Sequence, residues 1–149
     1  MRFARLLLVG VTLVASAACS LPMWPVEGRM TSPYGMRFAG LLPSTHRGVD
    51  LVAPHGTPVH AMADAQVRFA GTMSGYGNVV WLDHGGSVLS VYAHLSEIHV
   101  SVGTLVRAGS VIGLSGASGD VSGPHLHFEV WRWGRPVDPV PLLGRKPGR

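Results

Sequence analysis

The stretch from Gly123 to Val130, which reads GPHLHFEV, constrains the fold of this chain more than any other. Side chains along a β-strand point alternately to opposite faces, so the polar residues His125, His127 and Glu129 would share one face. The apolar residues between them would face a hydrophobic core. We therefore predict a strand with one buried side and one polar side. Its two imidazoles suit metal binding or proton transfer, although a solvent-facing polar row on an edge strand would show the same pattern.

A second stretch, HRGVD, places His46 and Asp50 four residues apart, directly before an apolar run. In a fully extended strand their Cα atoms would be roughly 13 Å apart, which is too far for both side chains to reach one ion easily. A backbone bend at Gly48 would close this gap, because glycine tolerates unusual φ and ψ angles. Together with His127, these residues would make a set of two imidazoles and one carboxylate. Catalytic zinc sites use this three-ligand pattern and keep a fourth position for water.

Three separated motifs resemble those of the lysostaphin/LytM-type zinc endopeptidases. They are the HRGVD stretch, the segment YAHLS at residues 92–96 and the segment GPHLHFE at residues 123–129. The motifs occur in the order typical of that family, and the resemblance extends from about Gly28 to Leu143. This family hydrolyses the peptide cross-links of bacterial peptidoglycan, and the resemblance implies the same substrate here, without indicating whether D-alanyl-diaminopimelate or glycine links are cut.

The resemblance also implies a role for each motif position. One zinc ion (Zn²⁺) per chain would be held by His46, Asp50 and His127, with His94 and His125 flanking the zinc-bound water as catalytic residues. One of this pair would accept the proton of the water, and the other would stabilise the oxyanion or protonate the leaving amine. We favour His125 for contact with the water, since it shares a strand with a ligand.

An alternative function is a non-catalytic wall-binding protein, or an activator of cell-wall amidases, on the same fold. The family includes members that have lost ligands and act only in this way. In this chain all five motif positions carry the residues that catalysis requires.

The first 18 residues predict a signal peptide and therefore export to the periplasm or cell envelope. Arg2 and Arg5 precede an apolar run, residues 6–18, that is too short to span a membrane comfortably. Cleavage near its small-residue end would release a soluble protein. Lipidation of Cys19 would instead anchor the chain to a membrane. We favour the lipid anchor, since a lone cysteine in an exported protein has no intramolecular partner.

The remaining length, about 130 residues, suffices for one domain. We expect a short linker at 19–27, a zinc metallopeptidase domain at 28–143 and a solvated basic tail at 144–149, in a monomer. The net charge of +4 comes mainly from the signal segment and this tail, so the folded body is near neutral. This charge distribution argues against a nucleic acid partner, which would need a basic surface.

Many short β-rich runs separated by glycine and proline predict an all-β fold. The chain has 20 glycines and 11 prolines, and no helical period follows the signal segment. We expect a mainly antiparallel, folded sheet with long loops around a groove, as in the lysostaphin/LytM-like architecture of the duplicated-hybrid-motif type. The three histidines outside the motifs and the hairpin, His55, His60 and His99, are expected at the surface or in turns.

The clearest predicted hairpin lies between residues 79 and 94, around a pair of glycines. A two-residue turn would place Leu82 opposite Leu89. Alternation would then put Tyr92 and His94 on one mixed face of the hairpin, the kind of face that also holds the other predicted site histidines. A single bulge would alter part of this assignment.

Overall fold

The computed structural model describes residues 21–39 and 42–146, and its regular structure is almost entirely antiparallel β-sheet. The predicted all-β, mainly antiparallel fold is confirmed. The signal segment and Cys19 lie outside the described residues. The strands are β1 (Met30–Ser32), β2 (Gly35–Ala39), β3 (Leu42–His46), β4 (Val49–Leu51), β5 (Pro58–His60), β6 (Ala65–Met73), β7 (Gly77–Asp83), β8 (Val88–Ile98), β9 (Leu105–Val106), β10 (Val111–Ser115), β11 (Leu126–Arg132) and β12 (Arg135–Val137).

Ten of these strands form one sheet, in which the main path runs β1-β4-β11-β8-β7-β6-β9. Strand β10 pairs with both β8 and β5, and β12 pairs with β11. Strands β2 and β3 form a separate two-stranded ribbon. A single helical turn, α1 (Val140–Leu143), follows the last strand. The sequence gives no sign of this turn, which Pro139 begins with its fixed φ angle. No helix within the described residues has the length and apolarity needed to cross a membrane.

The hydrophobic core lies on one face of the main sheet. The strand that carries the two histidines of the third motif contributes Leu126, Phe128 and Val130 to it, all at 0% exposure. These three residues alternate with the polar row, as the sequence predicts. A smaller apolar cluster covers the opposite face and is built around Val79 and Val91. The sheet is therefore packed on both sides, and the polar row emerges beside the smaller cluster.

The predicted register of the hairpin between β7 and β8 is wrong by one residue. Leu82 pairs with Ser90 instead of Leu89, because the connection contains three residues in the left-handed region, the last of which is Ser87. This shift turns Tyr92 into the main core, where its ring is fully buried.

The basic tail departs from expectation at Lys146. Its side chain is only 6% exposed, and its amine donates a hydrogen bond to the carbonyl oxygen of Val26. The amine also lies 5.5 Å from the centre of the Trp24 ring, and the Trp24 indole donates to Gly144 O at 3.2 Å. The start of the tail is thus packed on the domain, since a long lysine side chain can be buried where a carbonyl accepts from its amine.

Candidate metal centre and catalytic cleft

The bend predicted at Gly48 is present and brings His46 and Asp50 together. Strand β3 ends at His46, the chain bends at Arg47 and Gly48, and β4 begins at the next residue. A Cβ atom added at Gly48 would lie 2.2 Å from the carbonyl oxygen of Phe128. Only glycine therefore allows the bend to pack this closely against β11.

Strand pairing supplies the third residue. Asp50 on β4 lies directly opposite His127 on β11. Oδ1 of Asp50 is 2.8 Å from Nδ1 of His127 and 3.1 Å from Nε2 of His46. The two ring nitrogens are themselves 3.1 Å apart. Three candidate ligand atoms thus converge on one point, and these residues form a group that could hold a metal ion.

The far side of each imidazole ring shows which nitrogen is free to bind a cation. Nδ1 of His46 is 2.8 Å from the carbonyl oxygen of Pro33, which can only accept a hydrogen bond. Nε2 of His127 is 2.9 Å from Oε1 of Glu129, a buried carboxylate. Each ring can therefore keep a proton on the far nitrogen, and its near nitrogen then either donates a second proton to Asp50 or offers a lone pair to a bound cation. Three converging acceptors repel one another unless a cation lies between them, so this set of donor atoms fits a zinc ion.

The electrostatics of the group also favour a bound cation. Burial raises the pKa of Asp50, but hydrogen bonds with His127 and His46 outweigh it and hold this pKa well below its usual range. Burial lowers the pKa of His127, yet its contacts with Asp50 and Glu129 reverse that effect and raise the pKa to about 9. The carboxylates of Asp50 and Glu129 therefore stabilise positive charge at the ring of His127.

The two other predicted site histidines lie beside this group. The rings of His94 and His125 have centroids 4.9 Å apart, and the His94 ring is 5.8 Å from that of His127. Nδ1 of His94 donates to Ser118 O at 2.9 Å, and Nδ1 of His125 donates to Gly123 O at 2.9 Å. Both neutral rings consequently present an unprotonated Nε2.

His94 reaches this position by a route other than the predicted one. Simple alternation would place it on the same side as Tyr92, in the core. A bulge in the β7–β8 pairing and a left-handed backbone at His94, with φ of 62°, turn its ring to the opposite side of the sheet. Burial lowers the pKa of His94, and the neighbouring His125 and His127 lower it further, whereas the bond to Ser118 opposes this effect only in part.

All five predicted site residues line one cleft of about 400 Å³. Arg37 also lines the cleft, as the family resemblance implies for an arginine at this position, and so do Tyr76 and Asp120, which no sequence pattern indicated. Nη1 of Arg37 lies 3.7 Å from Oδ2 of Asp50. The histidines expected outside the site, His55, His60 and His99, do not line it.

Two further contacts of the site were not foreseen from the sequence. The hydroxyl of Tyr76 donates to Glu129 at 2.8 Å, and the indole of Trp131 donates to the same carboxylate at 2.5 Å. Trp131 follows Glu129 by two residues on one strand, so its position on the same face could have been inferred from alternation. Tyr76 comes from a turn before β7, and no sequence pattern indicates its contact.

A family model and individual relatives among known proteins match this chain and agree on one family. A model described as peptidase family M23 matches residues 44–139. The DD-carboxypeptidase/endopeptidase Mpg of Neisseria meningitidis is 46% identical over 117 residues, which are 77% of this chain and 27% of that protein. The murein hydrolase activator EnvC of Escherichia coli is 43% identical over 122 residues, 82% of this chain and 29% of that protein. The chain thus spans less than a third of the length of either relative.

Solved structures share the fold. A zinc-containing peptidase from Vibrio cholerae has a TM-score of 0.76 and 33% identity, over 80% of this chain and 39% of that one. The catalytic domain of lysostaphin from Staphylococcus simulans has a TM-score of 0.71 and 35% identity, over 79% of this chain and 93% of that one.

Proposed function

The chain belongs to peptidase family M23, and we propose that it is a zinc-dependent endopeptidase that hydrolyses the peptide cross-links of bacterial peptidoglycan. The convergence of Nε2 of His46, Oδ1 of Asp50 and Nδ1 of His127 within 3.1 Å of one another is the observation that carries this proposal. Zinc bound by these atoms would supply Lewis-acid activation of the scissile carbonyl and of a water molecule.

His94 and His125 handle the protons in this proposal. The lowered pKa of His94 keeps its ring neutral near pH 7, and its Nε2 has a free lone pair because Nδ1 donates to Ser118. His94 is therefore suited to accept the proton that the water loses. Nε2 of His125 is 3.7 Å from Oδ1 of Asp50 and has a free lone pair in the neutral ring, so this ring is suited to orient the attacking water by accepting a hydrogen bond from it. The roles of the pair thus follow from their different surroundings.

We place this activity in the cell envelope, on a monomer that is exported by its N-terminal segment. A lipid on Cys19 would be its link to a membrane. Peptidoglycan peptides are the proposed substrate, because they are what the lysostaphin/LytM-type resemblance implies, and the name of the relative Mpg also includes an endopeptidase activity.

A second function is favoured by one specific observation, the 43% identity to a protein named a murein hydrolase activator. In that case the chain would stimulate another wall hydrolase without cutting peptide bonds itself. The intact set of three candidate ligands and two further histidines supports the endopeptidase over the activator, since an activator has no need of a convergent metal site.

The experiment that separates the two functions combines metal analysis with digestion of purified peptidoglycan. Wild type, His127→Ala and the control His99→Ala are each loaded with zinc, dialysed and incubated with the wall. The endopeptidase predicts one zinc per chain and new free amino termini for wild type and His99→Ala, and neither for His127→Ala. Wall binding without cleavage by any of the three, together with stimulation of an added amidase, would identify an activator.

A further inference from the structure

Glu129 is the most deeply buried charged side chain near the candidate metal centre, at 1% exposure. It carries no ligand atom in the three-residue group, yet three donors surround it. His127 lies 2.9 Å from Oε1, the Tyr76 hydroxyl 2.8 Å from the same oxygen, and the Trp131 indole 2.5 Å from Oε2. A carboxylate at this depth would be strongly unfavourable without such donors.

We propose that Glu129, itself fixed by Tyr76 and Trp131, is a positioning residue that selects the metal-binding tautomer of His127. This inference rests on the metal site of the proposed function. A neutral imidazole has one N–H, and a carboxylate can only accept a hydrogen bond. Carboxylates face both ring nitrogens of His127, Asp50 at Nδ1 and Glu129 at Nε2. Glu129 therefore holds the hydrogen on Nε2 against a competing acceptor, which leaves the lone pair on Nδ1. That atom is the one 2.8 Å from Asp50 and 3.1 Å from His46.

Tyr76 and Trp131 make this selection strict. The indole N–H can only donate, so Oε2 must be an acceptor. The Tyr76 hydroxyl donates to Oε1, and no other acceptor for its hydrogen lies among residues 21–39 and 42–146. Both oxygens of Glu129 are thereby held as acceptors, and neither can present a hydrogen to Nε2 of His127. The two aromatic residues thus act on the metal site through the carboxylate, without touching the candidate ligand atoms.

This arrangement distinguishes glutamate from glutamine, although the two have the same shape. A glutamine at 129 that turned its oxygen toward His127 would place its NH₂ group against the Trp131 indole, where two donors would face each other. Turning its NH₂ group toward His127 would instead favour a lone pair on Nε2 and a hydrogen on Nδ1, which then points into the metal site. Replacing Trp131 by phenylalanine removes the conflict and lets the glutamine oxygen face His127.

The test uses full-length wild type, Glu129→Gln, Trp131→Phe, the double variant and a matched control, Glu97→Gln. Glu97 pairs with His99 at 3.0 Å, also two residues away, but on the exposed surface. The affinity for zinc is measured by competition with a chelator. We expect about a 10- to 100-fold loss for Glu129→Gln, a smaller loss for Trp131→Phe, little change for Glu97→Gln, and an affinity in the double variant close to that of Trp131→Phe.

A second measurement reads the tautomer directly. The ¹⁵N shifts of His127 in the zinc-free proteins, recorded at alkaline pH where the ring is neutral, should show a larger fraction with the hydrogen on Nε2 in wild type than in Glu129→Gln, because Asp50 competes for this hydrogen at Nδ1. A hydrogen found only on Nδ1 in wild type would overturn the inference even if Glu129→Gln failed to fold. A folded Glu129→Gln with wild-type zinc affinity would also overturn it, and so would a double variant that binds zinc as weakly as Glu129→Gln. Failure of the wild type to bind zinc would contradict the proposed function instead, while the tautomer measurement would still test Glu129.

Discussion

Asp50 and His127 face each other across the β4–β11 pairing, and this register places Oδ1 of one 2.8 Å from Nδ1 of the other. The two residues are 77 positions apart in the chain. A shift of this pairing by one residue would turn one of the two side chains to the opposite face of the sheet. The candidate metal centre is therefore a consequence of strand register, and the register is held by the core residues between β4 and β11.

Removing the charge of Asp50 should abolish tight metal binding. Asp50→Asn keeps the shape of the side chain, but an amide is a poor zinc ligand and cannot balance the positive charge of the metal. We expect the affinity for zinc to fall on the order of 100-fold or more. Zinc content after dialysis against a chelator measures this. Asp83→Asn is the control, since Asp83 pairs with Arg68, accepts from the Gly85 amide and does not line the cleft. Equal zinc retention in both variants would contradict the assignment of Asp50 as a ligand.

Loss of either flanking histidine should slow cleavage without releasing zinc. His94→Ala and His125→Ala each remove a ring that lines the cleft but is not part of the convergent ligand group. We expect each to lower the rate of peptidoglycan cleavage by about 10²–10⁴-fold. Rates are compared at equal zinc content. Near wild-type cleavage by both variants would remove the two residues from the mechanism.

Gly48→Ala should destabilise the domain and loosen the site. Its new Cβ would meet Phe128 O at 2.2 Å and Cγ of Glu129 at 2.8 Å, so β4 and β11 would have to separate. We expect a loss of about 1–3 kcal/mol in the free energy of unfolding, as for other overpacked positions, and weaker zinc binding. Gly123→Ala is the matched control, because a Cβ there meets nothing within 4 Å. Urea denaturation of both variants gives the comparison, and equal stabilities would show that the bend tolerates a side chain.

A chain of hydrogen bonds through the core should make stability depend on the ionisation of His84. Nδ1 of His84 donates to Asp64 O at 3.0 Å, and Nε2 lies 2.7 Å from the Ser90 hydroxyl. The hydroxyls of Ser90 and Tyr92 are 2.9 Å apart, and the amide of Met62 donates to Tyr92 at 2.9 Å. These groups are buried or half-buried, which disfavours a charged ring at His84.

Burial lowers the pKa of His84 below its usual 6.5, although its bond to Asp64 opposes the shift. The unfolded chain therefore binds a proton before the folded one, and this part of the stability is complete above pH 6.5 and is lost as the pH falls below it. We expect the melting temperature of wild type to fall more steeply below pH 6.5 than that of His84→Gln. The variant His99→Gln, at an exposed site, should follow wild type. Parallel curves for wild type and His84→Gln would contradict the prediction.

The strand of the third motif shows how far the sequence alone could go. Its alternation predicted that Leu126 and Phe128 face the core while His127 and Glu129 face the other way, and the structure confirms this arrangement. Alternation is a local property of the backbone, so it can be read without knowing the neighbours of the strand. The bend at Gly48 was predicted as well, but the need for glycine there is tertiary, because a Cβ would meet the carbonyl oxygen of Phe128 on β11 at 2.2 Å.

The β7–β8 hairpin shows where the sequence could not decide. A pair of glycines indicated a turn, but its length set the register, and a difference of one residue moved Tyr92 into the core. His94 was expected near the other site histidines and is found there, through a bulge and a left-handed backbone that alternation does not contain. Such irregularities depend on which strands pack on either side.

The sequence by itself determined the fold class, the family resemblance and the residue types that converge on the cleft, because motif spacing and alternation are local features of the chain. Only the tertiary structure decided which nitrogen of each ring points inward and that Tyr76 and Trp131 hold Glu129 behind His127. Hydrogen-bond partners so distant in the chain meet only after the strands have paired, and no local pattern encodes the distance between them.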